Sequence, residues 1–336
     1  MRPTFALALL VAMALPAPAA GQTPAAARAS AEPREPADDP LLIALLEGPA
    51  ETIVPDAAVE LSMEIDAGGR PIVEVRIDGT GPFRFGIDWG ANHVVVSEAV
   101  AREAALAIEG RIEPPGMPGR DVARVGEIAI GDVRIRDMRA TVGGFLDTTV
   151  DGILGFNALM DVPVTLDFPA STVRIGGPGL GAPDGDRILA LVAYDAGNRP
   201  AVTIRLGEFE TVAVLDTRGP LPLILPVSLR DLFTAVGESH RARARGPQTG
   251  DMELEIVPLA ESLVFGSHVV EEPLVAFRSL PDADPELRLF DQAILGGPLL
   301  RQFAITLDLA AGAVRLDRAA TGPIRLPAPT PPPAGT

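Results

Sequence analysis

Two aspartates stand at matching points in the two halves of this 336-residue chain. Asp88 ends the apolar segment 83–87, and Asp216 ends the apolar segment 212–215, 128 positions after Asp88. Two carboxylates held close together do not readily both ionise, so one stays protonated as an acid while the other acts as a base. The pair is therefore a candidate for activating water in a hydrolysis reaction.

Two further motifs recur in the same order in each half of the chain. They are Ile-Leu-Gly at 153–155 and 294–296, and Thr-Leu-Asp at 165–167 and 306–308. A period of this length predicts two copies of one domain rather than a solenoid. We interpret Asp167 and Asp308, which end the second motif, as residues of strand-end turns, because a second shared chemistry is not needed.

Residues 79–97 around Asp88 resemble the active-site segment of the bacterial retropepsin-like and pepsin-like aspartic peptidases, in which Asp-Thr-Gly-Ala lies between two apolar strands. The Ile-Leu-Gly motifs resemble the second signature of that family, which packs beneath each aspartate loop. The resemblance covers nearly all of residues 60–318. It implies a mostly β fold of two tandem retropepsin-like lobes with short helices. It also implies a cleft between the lobes for a peptide or protein substrate, with Asp88 and Asp216 as the catalytic residues.

The residues that follow each aspartate depart from the family motif in two places. The family has a Thr or Ser whose hydroxyl bonds across the lobe interface; Thr217 keeps this group and Trp89 does not. Gly90 keeps the family glycine, whereas Arg218 stands at that position in the second loop. Either the Arg218 guanidinium reaches the two aspartates and favours their ionised forms, or it points outward and Gly219 replaces the glycine through a one-residue shift.

These residues support three hypotheses. The first is an exported aspartic endopeptidase in which Asp88 and Asp216 activate water and Thr217 braces the pair. The second is a catalytically impaired aspartic-protease-like module that binds a peptide or protein partner in the cleft, with Trp89 as an aromatic contact. The third is a structural β-rich envelope protein in which the two carboxylates lie far apart. Because one chain carries both aspartates, we expect a monomer.

Composition excludes several other classes of function. The net charge of −17 argues against nucleic-acid binding. All 28 basic residues are Arg, and the lack of Lys excludes Schiff-base chemistry, a Ser–Lys dyad and a P-loop lysine. The lack of Cys excludes thiol catalysis. The histidines, His93, His240 and His268, show no ligand spacing, so we expect no metal ion and no cofactor.

The chain divides into six predicted segments. Residues 1–20 have the pattern of a secretory signal, with Arg2, an apolar run at 5–15 too short for a membrane span, and small residues at 17–20. This predicts a periplasmic or secreted protein. The other segments are a linker at 21–57 with a helical turn at 41–46, a first lobe at 58–177, a connection at 178–198, a second lobe at 199–318, and a Pro-rich disordered tail at 319–336.

Three further features of the sequence have structural interpretations that need no catalytic role. Residues 110–121, rich in Gly and Pro, predict a long loop between two strands. Residues 240–245, with three Arg in alternation, predict a solvated loop or a flap that contacts an acidic substrate. His93, five residues after Asp88, is interpreted as a partly exposed strand residue rather than a catalytic one.

Overall fold

The computed structural model describes residues 40–113, 119–143, 149–193, 199–246, 250–280 and 292–326. The predicted export signal at 1–20 and residues 21–39 of the predicted linker lie outside the described residues. Within the described ranges, no helix combines the length and apolar character that a membrane crossing requires.

The elements are numbered along the chain. The helices are α1 (Pro40–Leu46), α2 (Glu98–Glu103) and α3 (Gly297–Leu300), with 3₁₀ turns at Phe156–Leu159 and Val227–Leu232. The first strands are β1 (Glu51–Ile53), β2 (Val59–Ser62), β3 (Glu64–Ile65), β4 (Pro71–Ile77), β5 (Thr80–Asp88), β6 (Val94–Val96), β7 (Ala107–Ile112), β8 (Arg120–Ile130), β9 (Val133–Val142), β10 (Gly152–Gly155), β11 (Val164–Asp167) and β12 (Thr172–Ile175). The remaining strands are β13 (Ile188–Ala190), β14 (Val192–Ala193), β15 (Pro200–Leu206), β16 (Phe209–Asp216), β17 (Leu223–Pro226), β18 (His240–Gly246), β19 (Gly250–Pro258), β20 (Leu263–Phe265), β21 (His268–Val270), β22 (Leu274–Ser279), β23 (Ala293–Gly296), β24 (Ala304–Asp308) and β25 (Ala313–Asp317).

These strands form three sheets, and the predicted mostly β fold of two lobes is confirmed. The first-lobe sheet has nine strands in the spatial order β1-β9-β6-β10-β5-β4-β8-β7, with β3 paired to β4. The second-lobe sheet has ten strands in the order β18-β19-β22-β17-β23-β16-β15-β20-β21, with β14 paired to β15. A central sheet of six strands, β13-β25-β24-β11-β12-β2, takes strands from both halves of the chain.

The strands that precede the two aspartate-bearing strands have the same pattern of buried residues. The strands β4 and β15 share one burial pattern, in which three buried residues are followed by alternating exposed and buried positions. Successive side chains of a strand point to opposite faces of the sheet, so this alternation places the apolar set on the core face. The predicted strands at 71–77 and 200–205 are therefore confirmed.

Each Ile-Leu-Gly motif forms a strand that lies between the two strands flanking an aspartate loop. In the first lobe β10 runs parallel to β5 and antiparallel to β6, and in the second lobe β23 runs parallel to β16 and antiparallel to β17. The glycines that end these strands lie against backbone: a Cβ on Gly155 would overlap His93, and one on Gly296 would overlap Leu221. Only glycine permits so close an approach.

The central sheet joins the two halves by main-chain hydrogen bonds between β11 and β24. These antiparallel strands place Thr165 opposite Thr306, and the two hydroxyl oxygens lie 2.9 Å apart. The flanking pairs, Val164 with Leu307 and Leu166 with Ile305, exchange under a local twofold rotation about this threonine pair. The two Thr-Leu-Asp motifs thus meet at the middle of the sheet.

The aspartates that end these two strands hold the turns that follow. Asp167 Oδ1 accepts a hydrogen bond of 2.9 Å from Ala170 N, and Asp308 Oδ1 accepts one of 2.9 Å from Ala311 N. Such side-chain to backbone bonds are typical of Asp in tight turns. The interpretation of both residues as parts of strand-end turns is confirmed.

One large apolar core runs through both lobes and the central sheet. Full burial of a Val, Leu or Ile side chain stabilises the fold by roughly 1.5–3 kcal/mol, so this core is the main source of stability. A smaller cluster of Leu45, Ile112 and Val122 fixes the helix α1 on the first lobe. The helical turn predicted at 41–46 is therefore confirmed.

The long loop predicted at 110–121 is wrong at both of its ends. Residues 110–112 belong to β7 and residues 120–121 belong to β8, and the two strands pair as a hairpin with Ile112 opposite Arg120. The Gly and Pro residues suggested a loop. However, Ile112 and Val122 face the cluster around Leu45, and their burial stabilises the hairpin. Residues 114–118 lie outside the described residues.

Two boundary predictions also need correction. The tail predicted as disordered from 319 includes Ile324, which is only 1% exposed; its N–H donates to Val269 O at 2.7 Å and its carbonyl accepts from Glu271 N at 3.0 Å. An isolated apolar residue among prolines gave too little signal to predict this contact. The predicted connection at 178–198 contributes the strand β13, which pairs with β25 in the central sheet.

The basic run at 240–245 is the strand β18, so the solvated-loop interpretation is wrong. Its partner β19 is acidic, and Arg241 faces Glu255 while Arg243 faces Glu253. Arg243 Nη2 lies 3.4 Å from a carboxylate oxygen of Glu253. Opposite charges directly across two strands favour this pairing, which explains why the arginines alternate.

Candidate active site

Each candidate aspartate ends a strand beside the glycine of an Ile-Leu-Gly motif. Asp88 ends β5 opposite Gly155 of β10, and Asp216 ends β16 opposite Gly296 of β23. The parallel pairing places the two aspartates at the same position relative to their lobes. The strand register, rather than the loop alone, therefore sets where each carboxylate lies.

Backbone N–H groups hold one oxygen of each carboxylate. Asp88 Oδ1 accepts a hydrogen bond of 2.9 Å from Gly90 N. Asp216 Oδ1 accepts two, of 2.9 Å from Arg218 N and 2.8 Å from Gly219 N. These bonds fix the orientation of both carboxylates and leave Oδ2 of each for other contacts.

The two aspartate loops touch across the lobe interface. A Cβ added to Gly90 would lie only 2.8 Å from Cγ of Asp216, so the loop after Asp88 packs directly against the other carboxylate. This close approach requires a glycine at position 90. The third hypothesis, of carboxylates far apart in a structural protein, does not fit this geometry.

Thr217 links the two loops through its hydroxyl. Its Oγ1 donates to Ile87 O at 3.1 Å and accepts from Trp89 N at 3.3 Å, and the residue is fully buried. The link has no counterpart from the first loop, because Trp89 carries no hydroxyl. The indole of Trp89 is 2% exposed and lies in the main core. Trp89 is therefore not available as an aromatic contact for a ligand, which corrects that part of the second hypothesis.

Both loops make the same backbone turn after the aspartate. Ala91 N donates to Asp88 O at 3.1 Å, and Gly219 N donates to Asp216 O at 3.1 Å. The turn therefore has the same length in each loop, and Gly219 occupies the place that Ala91 occupies in the first loop.

A second backbone bond gives the same correspondence. In the first loop, Phe156 N donates to Ala91 O at 3.0 Å. In the second loop, Gly297 N donates to Gly219 O at 2.8 Å. Arg218 is thus the counterpart of Gly90, and the one-residue shift considered for this loop does not occur. Gly219 instead packs against the strand β23, since its added Cβ would lie 3.0 Å from the Gly296 Cα.

The Arg218 side chain extends across the interface to the opposite aspartate. Its Nη1 donates to Asp88 Oδ2 at 3.3 Å. The Arg218 side chain is 28% exposed, whereas that of Asp88 is 8% exposed. Of the two orientations left open by the sequence, the structure has the one in which the guanidinium reaches the aspartates.

The pKa of Asp88 is raised to about 6, mainly because burial disfavours its charged form and also because of the negative charge of Asp216. The Arg218 charge and the hydrogen bond from Gly90 N oppose this shift. Arg218 does act as expected on the ionised form of Asp88, but burial outweighs it. The arrangement can therefore hold one proton on Asp88 beside a second carboxylate, which is what acid–base activation of water needs.

His93 lies beside the first loop and is held by two side chains. Its Nδ1 is 2.7 Å from Asn92 Oδ1, and its Nε2 is 3.0 Å from Thr141 Oγ1. Burial, aided by the nearby charge of Arg120, lowers the pKa of His93 to about 4. A neutral imidazole with both nitrogens engaged has a positioning role in the loop rather than a catalytic one.

Sequence reasoning missed Arg301, which connects the lobes near the second loop. Its Nη1 donates to Gly69 O at 3.3 Å, and the same nitrogen lies against Gly297, close to the end of β23. No motif includes Arg301, because its partner is a backbone carbonyl 232 positions earlier in the chain.

Residues 73–158 match the model of a protein family described as "Aspartyl protease". A search of curated proteins found no match to this chain. Among solved structures, an aspartic proteinase from Irpex lacteus has a similar fold, with a TM-score of 0.50 and 11% identity, over 78% of this chain and 97% of that one. A retropepsin-like aspartic protease from Rickettsia conorii aligns with a TM-score of 0.29 and 13% identity, over 35% of this chain and 91% of that one. The predicted resemblance and the predicted fold class are confirmed.

Proposed function

We propose that this chain, whose sequence pattern and fold are those of the retropepsin-like and pepsin-like aspartic proteases, is an exported aspartic endopeptidase. The observation that carries the proposal is the contact between the two aspartate loops, with the pKa of Asp88 raised to about 6 beside Asp216. Both carboxylates are held by backbone N–H groups, so they are already oriented before a substrate binds.

The two aspartates divide the roles of acid and base. Asp216 takes a proton from the water, the water oxygen bonds to the scissile carbonyl carbon, and Asp88 gives its proton to the carbonyl oxygen. The resulting diol collapses when Asp216 gives its proton to the amide nitrogen and Asp88 takes a proton from a diol hydroxyl. The C–N bond breaks, a carboxyl group and an amine leave, and both aspartates return to their starting states.

The substrate is a peptide or protein segment in extended form, bound in the cleft between the lobes as an added strand. One chain supplies both aspartates, so the enzyme acts as a monomer. The matching strand registers of the two lobes support an origin by tandem duplication. The signal-like residues 1–20 support export to the periplasm or beyond.

A direct test compares hydrolysis of a mixed peptide library at acid pH by the wild type, Asp88→Asn and Asp216→Asn. We expect each substitution to lower the rate by about 10²–10⁴-fold, because each removes one proton-transfer group. Asp167→Asn is the matched control, since that carboxylate bonds to Ala170 N in the turn between β11 and β12. Equal rates in the wild type and both site variants would contradict the proposal.

Export is tested separately by mass spectrometry of the protein recovered from outside the cytoplasm. We expect the mature chain to begin just after residue 20. An intact N-terminus on protein that stays inside the cell would contradict export and leave the peptidase proposal unaffected.

The second candidate function is a binding module that has lost catalysis. The specific observation that favours it is the ion pair between Arg218 and Asp88, because a cation beside the dyad stabilises the ionised form that cannot act as an acid. In this case both Asp variants bind peptides as the wild type does, and no variant cleaves them.

A further inference from the structure

Arg218 is more exposed to solvent than the carboxylate with which it pairs. Its side chain is 28% exposed, whereas that of Asp88, its partner, is 8% exposed. A ligand that approaches the buried carboxylate from solvent therefore meets the guanidinium first.

Arg218 has donor capacity that its partner does not use. A guanidinium has five N–H donors in a planar fork. Within the described parts of the chain, its side chain makes one hydrogen bond, of 3.3 Å from Nη1 to Asp88 Oδ2. A two-bond Arg–carboxylate pair has distances of about 2.7–2.9 Å, so the contact with Asp88 is both single and long. The fork can thus accept a second carboxylate with better geometry.

The position of Arg218 places such a carboxylate beside the reacting atoms. Arg218 is the counterpart of Gly90, and Gly90 packs directly against the opposite aspartate. An anion bound to the fork therefore lies beside Asp88 and next to the loop that carries Asp216. The net charge of −17 does not prevent this contact, because charges beyond about 8–10 Å are largely screened at physiological salt.

We propose that Arg218 binds a carboxylate of the substrate next to the scissile bond, so that the site selects acidic peptides. This inference rests on the proposed peptidase function and names its substrate class. When the substrate carboxylate takes the fork, Arg218 leaves Asp88, and the two aspartates hold the shared proton between them. The carboxylate comes from an Asp or Glu side chain or from a free C-terminus, and the test separates these two sources.

The test uses four peptides built on the best-cleaved library sequence. They carry Glu or Gln beside the scissile bond, and each has a free or an amidated C-terminus. The proteins are the wild type, Arg218→Gln, Arg218→Lys and Arg218→Gly. Arg205→Gln is the matched control, because Arg205 is exposed on β15 and its Nη1 bonds to the nearby Gly207 O.

We expect the wild type to cleave the Glu peptide with a kcat/KM about tenfold or more above that of the Gln peptide, as a charged hydrogen bond implies. Arg218→Gln should abolish this preference, Arg218→Lys should keep part of it, and Arg205→Gln should keep all of it. If the rate instead depends on the free C-terminus, the carboxylate that Arg218 binds is the C-terminal one. Equal rates for all four peptides in the wild type, or a uniform increase for all four in Arg218→Gly, would overturn the inference.

A binding assay separates this inference from the proposed function. The assay measures the fluorescence anisotropy of the labelled peptides with two proteins, the Asp216→Asn variant and the double variant that also carries Arg218→Gln. When no library peptide is cleaved, one Glu-rich peptide and one matched Gln-rich peptide replace the four peptides. Glu-dependent binding that is lost with Arg218→Gln supports the inference, even when no protein cleaves a peptide. Cleavage that needs both aspartates but ignores Glu supports the function and overturns the inference.

Discussion

The loops after Asp88 and Asp216 share one backbone conformation but differ in their side chains. Both make the same turn, both bond to the residue after an Ile-Leu-Gly strand, and both hold a carboxylate oxygen with backbone N–H groups. At equivalent positions, however, the first loop has Trp89 where the second has Thr217, and Gly90 where the second has Arg218. The difference shows that the strand register and backbone hydrogen bonds set the positions of the two carboxylates. The side chains set how the loops are linked and which charge lies beside Asp88.

A third difference lies where each loop meets its glycine strand. His93 packs against Gly155 in the first lobe, and Leu221 packs against Gly296 in the second. The first loop thus carries a titratable group where the second carries an apolar one. The first loop also contains the buried indole, so it depends more on the core and on pH than the second loop does.

The largest expected effect comes from making the first loop like the second with Trp89→Thr. The hydroxyl would restore a symmetric pair of cross-lobe bonds, but removal of a buried indole leaves a cavity and lowers the free energy of unfolding by about 3–5 kcal/mol. Urea unfolding measures this loss. Val236→Thr is the control, because Val236 is exposed and should change stability by less than about 0.5 kcal/mol. A loss no larger than that of the control would show that the indole does not stabilise the first loop.

The opposite change, Thr217→Val, removes the hydroxyl through which the second loop bonds to the backbone of the first loop. It leaves Trp89 N and Ile87 O buried without their partner, which costs about 1–3 kcal/mol of unfolding free energy. We also expect a lower kcat, because the two carboxylates are less well fixed. Thr203→Val, on an exposed strand position, should change neither quantity. Unchanged stability in Thr217→Val would show that the Thr217 hydroxyl does not hold the loops together, which leaves this role to the Arg218–Asp88 pair and the packing of Gly90.

A smaller effect is expected from His93→Leu, which copies the second lobe into the first. The pKa of His93 is lowered from 6.5 to about 4, so neutral His93 contributes stability above pH 6.5 that is lost as the pH falls toward 4. Urea unfolding across this range should show a steeper loss at low pH in the wild type than in His93→Leu. Parallel pH curves for the two proteins would contradict the shift.

The smallest effect concerns Asp88, whose pKa shift has the opposite sign. Its pKa is raised from 3.8 to about 6, so it contributes stability below pH 3.8 that is lost as the pH rises through 6. Asp88→Asn should remove this loss. Since Arg218 lowers the pKa of Asp88, Arg218→Gln should move the carboxyl titration to higher pH, as NMR of the side-chain carbon can measure. A titration that moves to lower pH would show that Arg218 does not act on Asp88 through its charge.

Local patterns predicted the strands and the fold class because alternation and repeated motifs report which face of a strand is buried. The segments 71–77 and 200–205 were identified in this way, and the turns at Asp167 and Asp308 followed from residue type. The direction of Arg218 could not be predicted, because the loop register depends on a backbone bond to Gly297, far along the chain. The docked Ile324 was missed for the same reason, since Val269 and Glu271 lie far from it in sequence. The hairpin within 110–121 was missed because the apolar residue that stabilises it, Leu45, is distant, although its two strands are neighbours in sequence.

The pairing of β11 with β24 has a consequence for the integrity of the molecule. Residues 181–187 are exposed on the path between the two halves, whereas the threonine pair and the shared apolar core lie inside. A peptide-bond cut within this exposed run should leave two fragments that stay associated as one particle in size-exclusion chromatography under native conditions. The same argument predicts that the halves, produced as separate polypeptides, reassemble by fragment complementation.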